Sequence, residues 1–515
     1  MSTADKSAVS AARPPVAGLW FLVFVAAAAM YMATAQRGTN WQDSGARQWR
    51  IVTGQYTDPL GLALAHPLFI AVGRQALHVP MGDVLSRLNC ISALAMAVAL
   101  ANLAAVVTLL TGRRWAGLAS AGMLAVCHTA WWLSTITEVY TLQLAAMSGE
   151  LWLLVLLVRN PRWYYVAALA GLNGLDLAVH DLALLPLPVY LIVAIVLVVR
   201  RRVGWGALAA GAVAYLAGAS LYLTLIVREA LSTGHVGQAI ASALFGQYEA
   251  QVLNVLPAWS IFKQNAGLAA MNFGSFIFLL AVAGWVRMRR EGGMLWMALT
   301  AITAIEVVFV ARYSIPDQFT FFLPSLLMIA LASGVGAAYM AGRSLRWAKA
   351  VAFACVISIV LPPVMYYSSP HLLAMAGIAI HRRKLPFRDE ARYWMVPWKQ
   401  DESSADQFAV AALLQAQPDA VVFLDGTTLY PLKLKQRLEG LSPDVTLTDG
   451  GEPMPSYESH NSEFRQVLGN RPLLVVTPQA GYVPEKLLSD AEFVRRDGQV
   501  LYQARWKQPA TSVSP

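Results

Sequence analysis

The sequence predicts a polytopic α-helical membrane protein that ends in a small α/β domain, and three observations predict it. Hydrophobic residues make up 57% of the 515 and charged residues 13%, far below the roughly 25% charged of a soluble domain. Apolar runs of about 20 residues, the length that crosses a bilayer, recur as far as residue 367. Lys and Arg gather in five places, each after every second apolar run: Arg113–Arg114, Arg159 with Arg162, Arg200–Arg202, Arg287 with Arg289–Arg290, and Arg343 with Arg346 and Lys349. Cytoplasmic loops retain Lys and Arg, so this beat orients every helix.

Residues 1–16, with Lys6 and Arg13, read as a cytoplasmic tail before a retained first span rather than as a cleaved signal. Spans are expected at 17–35, 85–111, 115–134, 138–158, 163–180, 182–200, 205–227, 266–286, 294–311, 318–341 and 347–367, about eleven in all. The membrane domain is thus 17–367, all the basic clusters face the cytoplasm, and the C-terminus lies outside. Two outer loops, 36–84 and 228–265, exceed what a connection requires. In the first, HPLFIAVGRQALHVP is too short to cross and reads as an interfacial or re-entrant helix. The second holds His235, Tyr248, Glu249, Trp259 and Lys263.

The Pro-Pro and Ser-Pro dipeptides at 362–363 and 369–370 mark the passage to an extracytoplasmic domain at 368–515. There DAVVFLD (419–425) reads as a strand and turn, and TLYPLKLKQRLEGL (428–441) as a helix ending near Gly440. DVTLTD (444–449), PLLVVTP (472–478) and QVLYQARW (499–506) read as further strands. Alternation of this kind favours a small open sheet. It contains no GxGxxG, so a lid or docking role suits it better than nucleotide binding.

Composition also excludes. The net charge of +9 is spread over short loops instead of one stripe, which argues against a nucleic-acid partner. Cys90, Cys127 and Cys355 sit in apolar stretches with neither zinc spacing nor a disulfide framework.

With the sides assigned, most chemically suggestive residues fall on the outer face. Asp43, in WQDSGARQW, reads equally as a base or divalent-metal ligand at the membrane plane and as a helix N-cap. Glu138, in TITEVYTL, is either a functional acid or a first-turn complement to the helix dipole, and Tyr140 beside it reads as packing. Trp131–Trp132 fits an aromatic belt. Asp176 and His180, spaced i,i+4 on one predicted helix face, precede Asp181; they form a proton-handling or a structural cluster, and no ligand spacing supports a metal there. His66, Arg74, Arg87, Arg312, Tyr313 and Asp317 also lie outside. Arginines there, and those of HRRK (381–384), suit either phosphate clamping or lipid headgroups. Glu150 and Glu306 fall within spans, where acids are paired or functional.

These residues resemble a bacterial polytopic family related to protein O-mannosyltransferases, within the GT-C glycosyltransferase superfamily. The pattern stands here as Asp43-Ser44-Gly45, His66-Pro67, Arg87-Leu88-Asn89 with Ser92, Glu138 through Leu142, and His180. RYSIPDQFTFFLP (312–324), PDAVVFLDG and EGLSPDV resemble later family segments, so the likeness is scattered across nearly the whole chain. Two positions depart from the pattern: Ala46 stands where the family has Glu, and Val179 where it has Asn.

The resemblance implies a GT-C-like fold in a bacterial inner membrane. It implies transfer of a mannose-like or other sugar from a polyprenyl-phosphate donor to a hydroxyl of a protein, glycan or lipid acceptor outside the cytoplasm, with inversion. Asp43, Glu138 and His180 are the expected catalytic residues. Ser44, His66, Arg74, Arg87, Asn89, Tyr140, Asp181, Arg312 and Asp317 are the expected substrate-binding ones, with Arg74 or Arg87 on the lipid phosphate. Two other classes stay open: a proton-coupled transporter or flippase using Glu150 and Glu306, and an inactive envelope scaffold, to which Ala46 lends weight.

Overall fold

The computed structural model describes residues 16–507 apart from 81, 273–276, 381–382 and 452. The tail 1–15 therefore lies outside the described residues. Helix α1 (Ala17–Thr34) opens the body, and α2 (Gln42–Thr53) and α3 (Pro67–Ala76) fold within the first long loop. There follow α4 (Val84–Thr111), α5 (Arg114–Ala125), α6 (His128–Ser134), α7 (Tyr140–Arg159), α8 (Trp163–Leu177), α9 (Leu187–Val199) and α10 (Gly206–Thr233). Three helices, α11 (Val236–Leu244), α12 (Glu249–Val252) and α13 (Trp259–Asn272), occupy the second long loop and its exit. The body closes with α14 (Ile277–Glu291), α15 (Gly293–Arg312), α16 (Leu323–Ala341) and α17 (Leu345–Met375).

Among the described residues, eight helices are long and apolar enough to cross a bilayer, or nine if the bent α5–α6 pair counts as one span. Three expected spans differ. The run 115–134 breaks at Val126–Cys127 with a 73° bend. No Pro or Gly marks that break; all of α6 is buried, so packing decides it. The run 163–180 stops at Leu177, and 266–286 is divided between α13 and α14. The prolines do not end α17 either. Pro370 removes the donor for the Tyr366 carbonyl, and the Ser369 hydroxyl donates to it instead at 3.0 Å.

Small residues pack the body, because lipid supplies no hydrophobic drive between helices and close backbone approach must replace it. A Cβ on Gly284 of α14 would lie 1.8 Å from the Ala332 carbonyl of α16, and one on Gly174 of α8 would lie 2.2 Å from the Tyr215 carbonyl of α10. α4 and α16 form the inner layer, 78% and 89% buried along their apolar windows, whereas α10 and α17 are 22% buried and turn Val213, Leu216, Phe353 and Val364 outward. So broad an apolar surface suits lipid and not water.

The basic clusters share one end. Arg113 donates to the Ala338 carbonyl (3.1 Å), Arg159 to that of Leu109 (2.6 Å) and Arg290 to the Tyr339 hydroxyl (3.2 Å). The opposite end carries α2, the 135–138 turn and the C-terminal segment.

That segment comprises α18 (Glu390–Met395), α19 (Ser404–Gln415), β1 (Val421–Phe423), α20 (Leu429–Glu439), β2 (Thr446–Thr448), α21 (Asn461–Leu468), β3 (Leu473–Val475), α22 (Glu485–Asp490), β4 (Ala491–Val494) and β5 (Tyr502–Trp506). The four expected strands form; β4, EFV after a short helix, was not foreseen. The sheet order is β2-β1-β3-β5-β4. β1 pairs parallel with β2 (Val421 opposite Thr446) and with β3 (Val421 opposite Leu473), while β5 runs antiparallel to β3 and β4.

The sheet unit is anchored to the helical body by buried polar contacts. The Trp41 indole donates to Ser404 Oγ (2.8 Å), the Lys399 N–H to the Thr34 carbonyl (2.7 Å) and Thr135 Oγ1 to the Pro397 carbonyl (2.8 Å). The pair expected in an aromatic belt serves this junction instead. Trp132 stacks on Trp394 at 5.7 Å and Trp131 lies 5.3 Å from Trp398, both almost fully buried.

Candidate active site

The site begins at the first turn of α2. A Cβ on Gly45 would lie 2.4 Å from the Asn40 carbonyl, so the Asp-Ser-Gly run folds back this tightly only with Gly third. The turn is entered through Gln42 at φ 57, an uncommon left-handed conformation for a side-chain-bearing residue. Helical spacing then sets Asp43 and Arg47 on one face.

Glu138 meets that face from the turn before α7. Its Oε1 accepts from Ser44 Oγ (2.5 Å) and from Arg47 Nη1 (3.0 Å), with Arg47 Nη1 2.9 Å from Oε2. Burial raises the Glu138 carboxyl to about 7 even though Arg47 and Ser44 pull it down. Burial would depress the Arg47 guanidinium, but Glu138, Asp43, Tyr140 and Asp317 together hold it above its ordinary value.

The turn holding Glu138 is itself fixed from α4. Ser92 Oγ accepts from the Glu138 N–H (2.8 Å) and donates to its carbonyl (3.0 Å). Asn89 accepts from Thr137 Oγ1 (2.7 Å) and Gln48 Nε2 (3.2 Å) and donates to the Gln36 carbonyl (2.7 Å). Fully buried, Asn89 is bound into the framework and lines no described cavity with Asp43.

The two histidines stack at 5.0 Å. His66 Nδ1 lies 2.9 Å from the Val179 carbonyl, which can only accept, so the proton sits on Nδ1 and Nε2 is left as an acceptor. His180 Nδ1 accepts from the Leu182 N–H (3.2 Å), which puts its proton on Nε2. Burial, with His180, Arg47 and Arg50 nearby, holds His66 well below its ordinary value and therefore neutral. Val179, which replaces the family's Asn, serves here through its main-chain carbonyl. The expected Asp176–His180 pair on one helix face does not form. α8 ends at Leu177 and His180 is extended, φ −161°, while Asp176 faces Gln143 (3.5 Å) inside the body.

Three adjoining cavities meet at Asp43 and Arg47. One of about 110 Å³ is bounded by His66, Tyr140, His180, Asp181 and Asp317, with Tyr248, Tyr313 and Phe321 as aromatic walls. A second, about 240 Å³, adds Ser44 and Glu138, and a third, about 310 Å³, extends between α2 and the sheet unit. Through Gln42, Pro316 and Trp394 the second adjoins a cavity of about 670 Å³ lined by Lys263, Arg383 and Arg388.

Of the residues expected in the site, Asp43, Ser44, His66, Glu138, Tyr140, His180, Asp181 and Asp317 thus converge. The expected arginines do not join them. Arg74 donates to the Ile51 carbonyl (3.4 Å) at the end of α2, and Arg312 donates to the carbonyls of Val252 and Asn254 (2.7 Å). Arg87, on the first turn of α4, borders none of these cavities. The cleft guanidinium is Arg47, whose i,i+4 spacing from Asp43 was visible in the sequence. Of HRRK, His381 and Arg382 lie outside the described residues, while Arg383 pairs with Asp425 (2.6 Å). Among the described residues, no group of three or more His, Cys, Asp or Glu side chains is arranged to hold a metal ion.

The fold is a helical body with a polar cleft at one end, covered by a small sheet unit. Residues 62–203 match the family model "Protein O-mannosyl-transferase TMEM260 N-terminal domain", so the resemblance read from the sequence is borne out. The structure is similar to ArnT from Cupriavidus metallidurans bound to undecaprenyl phosphate, at a TM-score of 0.56 and 14% identity over 95% of this chain and 98% of that one. It is also similar to the arabinofuranosyltransferase AftD from Mycobacteria, at a TM-score of 0.51 and 13% identity over 95% of this chain and 40% of AftD. No curated protein matches in sequence.

Proposed function

We propose that the protein is an inverting membrane glycosyltransferase that takes a sugar from a polyprenyl-phosphate donor on the outer face of a bacterial inner membrane. The observation that carries this reading is Asp43 at the meeting point of three cavities, one aromatic-walled, one holding Glu138, and one extending between α2 and the sheet unit. The family match, and a fold shared with a protein solved with undecaprenyl phosphate bound, support it.

In this reading Asp43 accepts the proton of an acceptor hydroxyl as its oxygen attacks the anomeric carbon. The new C–O bond forms as the bond from that carbon to the phosphate oxygen breaks, and polyprenyl phosphate departs with the bonding pair. One displacement inverts the centre. The leaving phosphate needs positive charge, and Lys263, Arg383 and Arg388 line the adjoining cavity. Val255, Leu256 and Trp259, which precede Lys263, are exposed and apolar, a surface suited to a polyprenyl tail. Arg47, held by Glu138, orients Asp43, and the neutral His66 and His180 offer an acceptor and a donor to sugar hydroxyls.

Asp43→Asn should lower transfer of labelled sugar from a polyprenyl-phosphate donor by about 10²–10⁴-fold, the usual contribution of a general base. Wild-type turnover in the purified variant would overturn the assignment. A proton-coupled transporter is the second reading, favoured by Glu306, whose buried carboxylate oxygens have no hydrogen-bond partner among the described residues. Proton uptake driven by lipid substrate in vesicles, with no transfer product, would replace the first reading by the second.

A further inference from the structure

The cavity between α2 and the sheet unit lies apart from Lys263, Arg383 and Arg388, yet it shares Asp43, Arg47 and His66 with the aromatic-walled cavity. One wall comes from α2, with Ala46 and Arg47, and the other from the carboxyl ends of the parallel strands, where Gly426 follows β1 and Asp449 follows β2. Ligands of open parallel sheets collect at that edge. Tyr430, at the start of α20, and Tyr248 add aromatic rings.

Three features describe its occupant. Arg47, its side chain 91% buried, spends Nη1 on Glu138 and lines the groove as a fixed cation. Among the described residues the Asp449 carboxylate accepts a long bond from the Gly451 N–H (3.3 Å), and Asp43 also lines the groove, so the walls offer acceptors for hydroxyl protons. The volume of about 310 Å³ lies at the small end of ligand pockets, which run from about 300 to 1,000 Å³. Arg50 and Asp58 also line the groove but pair with each other at 3.1 Å, and the aromatic faces with the carboxylates of Asp43 and Asp449 fit a pyranose ring.

We propose that this groove binds the terminal residue of an uncharged glycan, which is the acceptor of the transfer. The inference rests on the glycosyltransferase reading above. It makes the sheet unit one wall of the acceptor site, with Asp449 and Tyr430 setting specificity. Ala46 is the small residue that leaves the groove open, because a longer side chain there would project into it.

The test uses the full-length protein in detergent on paired arrays of neutral glycans, anionic glycans and Ser/Thr peptides. Wild type should retain neutral glycans, and Asp449→Asn, Tyr430→Ala and Ala46→Leu should each weaken retention at least tenfold while eluting as folded monodisperse protein. Should a variant misfold, the remaining two decide. Retention of peptides or anionic glycans in place of neutral ones, no retention at all, or indifference to every variant that folds would overturn the proposal. A parallel measurement of labelled sugar released from polyprenyl-phosphate mannose separates the two readings. Donor turnover without glycan binding sinks the groove alone, while variant-sensitive glycan binding without donor turnover sinks the enzyme reading and the acceptor role with it, leaving the groove as a glycan-binding site.

Discussion

The two ends of the helical body use arginine in opposite ways. At one end Arg113, Arg159 and Arg290 donate to main-chain carbonyls or a tyrosine. At the other, Arg47 is enclosed with Glu138, Asp43 and Asp317. The first set acts through number, since orientation follows the summed bias of several loops. The second acts through position, since a buried charge is tolerable only when its partner is held in place. Loss of one member should therefore matter little at the first end and greatly at the second.

The largest expected effect is at that buried pair. Arg47→Ala leaves Glu138 buried without its cation, and removing one partner of a buried pair typically costs about 3–5 kcal/mol. Thermal unfolding in detergent should show a large drop in melting temperature, and a drop no larger than that of Arg113→Ala would break the comparison.

Protonation should show the same contrast between the cleft and the sheet junction. Glu138 is raised from 4.5 to about 7, so the folded state holds its proton more tightly, and this contribution to stability is lost as pH climbs through that window. Lys399 behaves oppositely. Burial, only partly offset by Glu402, lowers it from 10.5 to about 7, so its contribution grows as pH rises from about 7 toward 10.5. Together they give a shallow minimum in melting temperature near pH 7. Glu138→Gln should flatten the acid limb and Lys399→Met the alkaline limb; a curve unchanged by both would exclude these two groups as its source.

A smaller effect separates the phosphate candidates. Lys263→Ala should raise the donor KM about tenfold, while Arg74→Ala, whose guanidinium reaches only the Ile51 carbonyl, should leave it within twofold. The reverse order would restore the clamp first expected from the sequence. The smallest effect belongs to the basic end. Arg113→Ala should change stability by less than about 0.5 kcal/mol, as surface changes usually do, and leave orientation intact by cysteine labelling.

Much of the site could be read in the chain because it is local. The Asp-Ser-Gly turn, the i,i+4 spacing of Asp43 and Arg47, and the His-Pro step are neighbours in sequence, and helical geometry makes them neighbours in space. The residues proposed to meet the phosphate were legible only in part, since HRRK (381–384) offered Arg383. Arg74 and Arg87 stood on the outer side like the others, but which way α3 and α4 turn them depends on what packs beside them. Lys263, Arg383 and Arg388 come from separate segments and share a cavity only after the sheet unit docks on the body. The break in α5–α6 hid for the same reason, since burial of every α6 residue bends an apolar run that composition would leave straight.

The amino-acid sequence alone determined the helical membrane body, the common end of its basic loops, four of the five strands of the C-terminal sheet and the acids at the end opposite those loops. These follow from hydropathy, charge and short-range periodicity, each carried by adjacent residues. Tertiary structure alone decided that Asn89 braces the site, that Trp131 and Trp132 dock the sheet unit, and that Arg47 is the guanidinium in the cleft. Those outcomes depend on helix rotation and on contacts between residues tens to hundreds of positions apart, where the energy of burying one polar group outweighs any local preference.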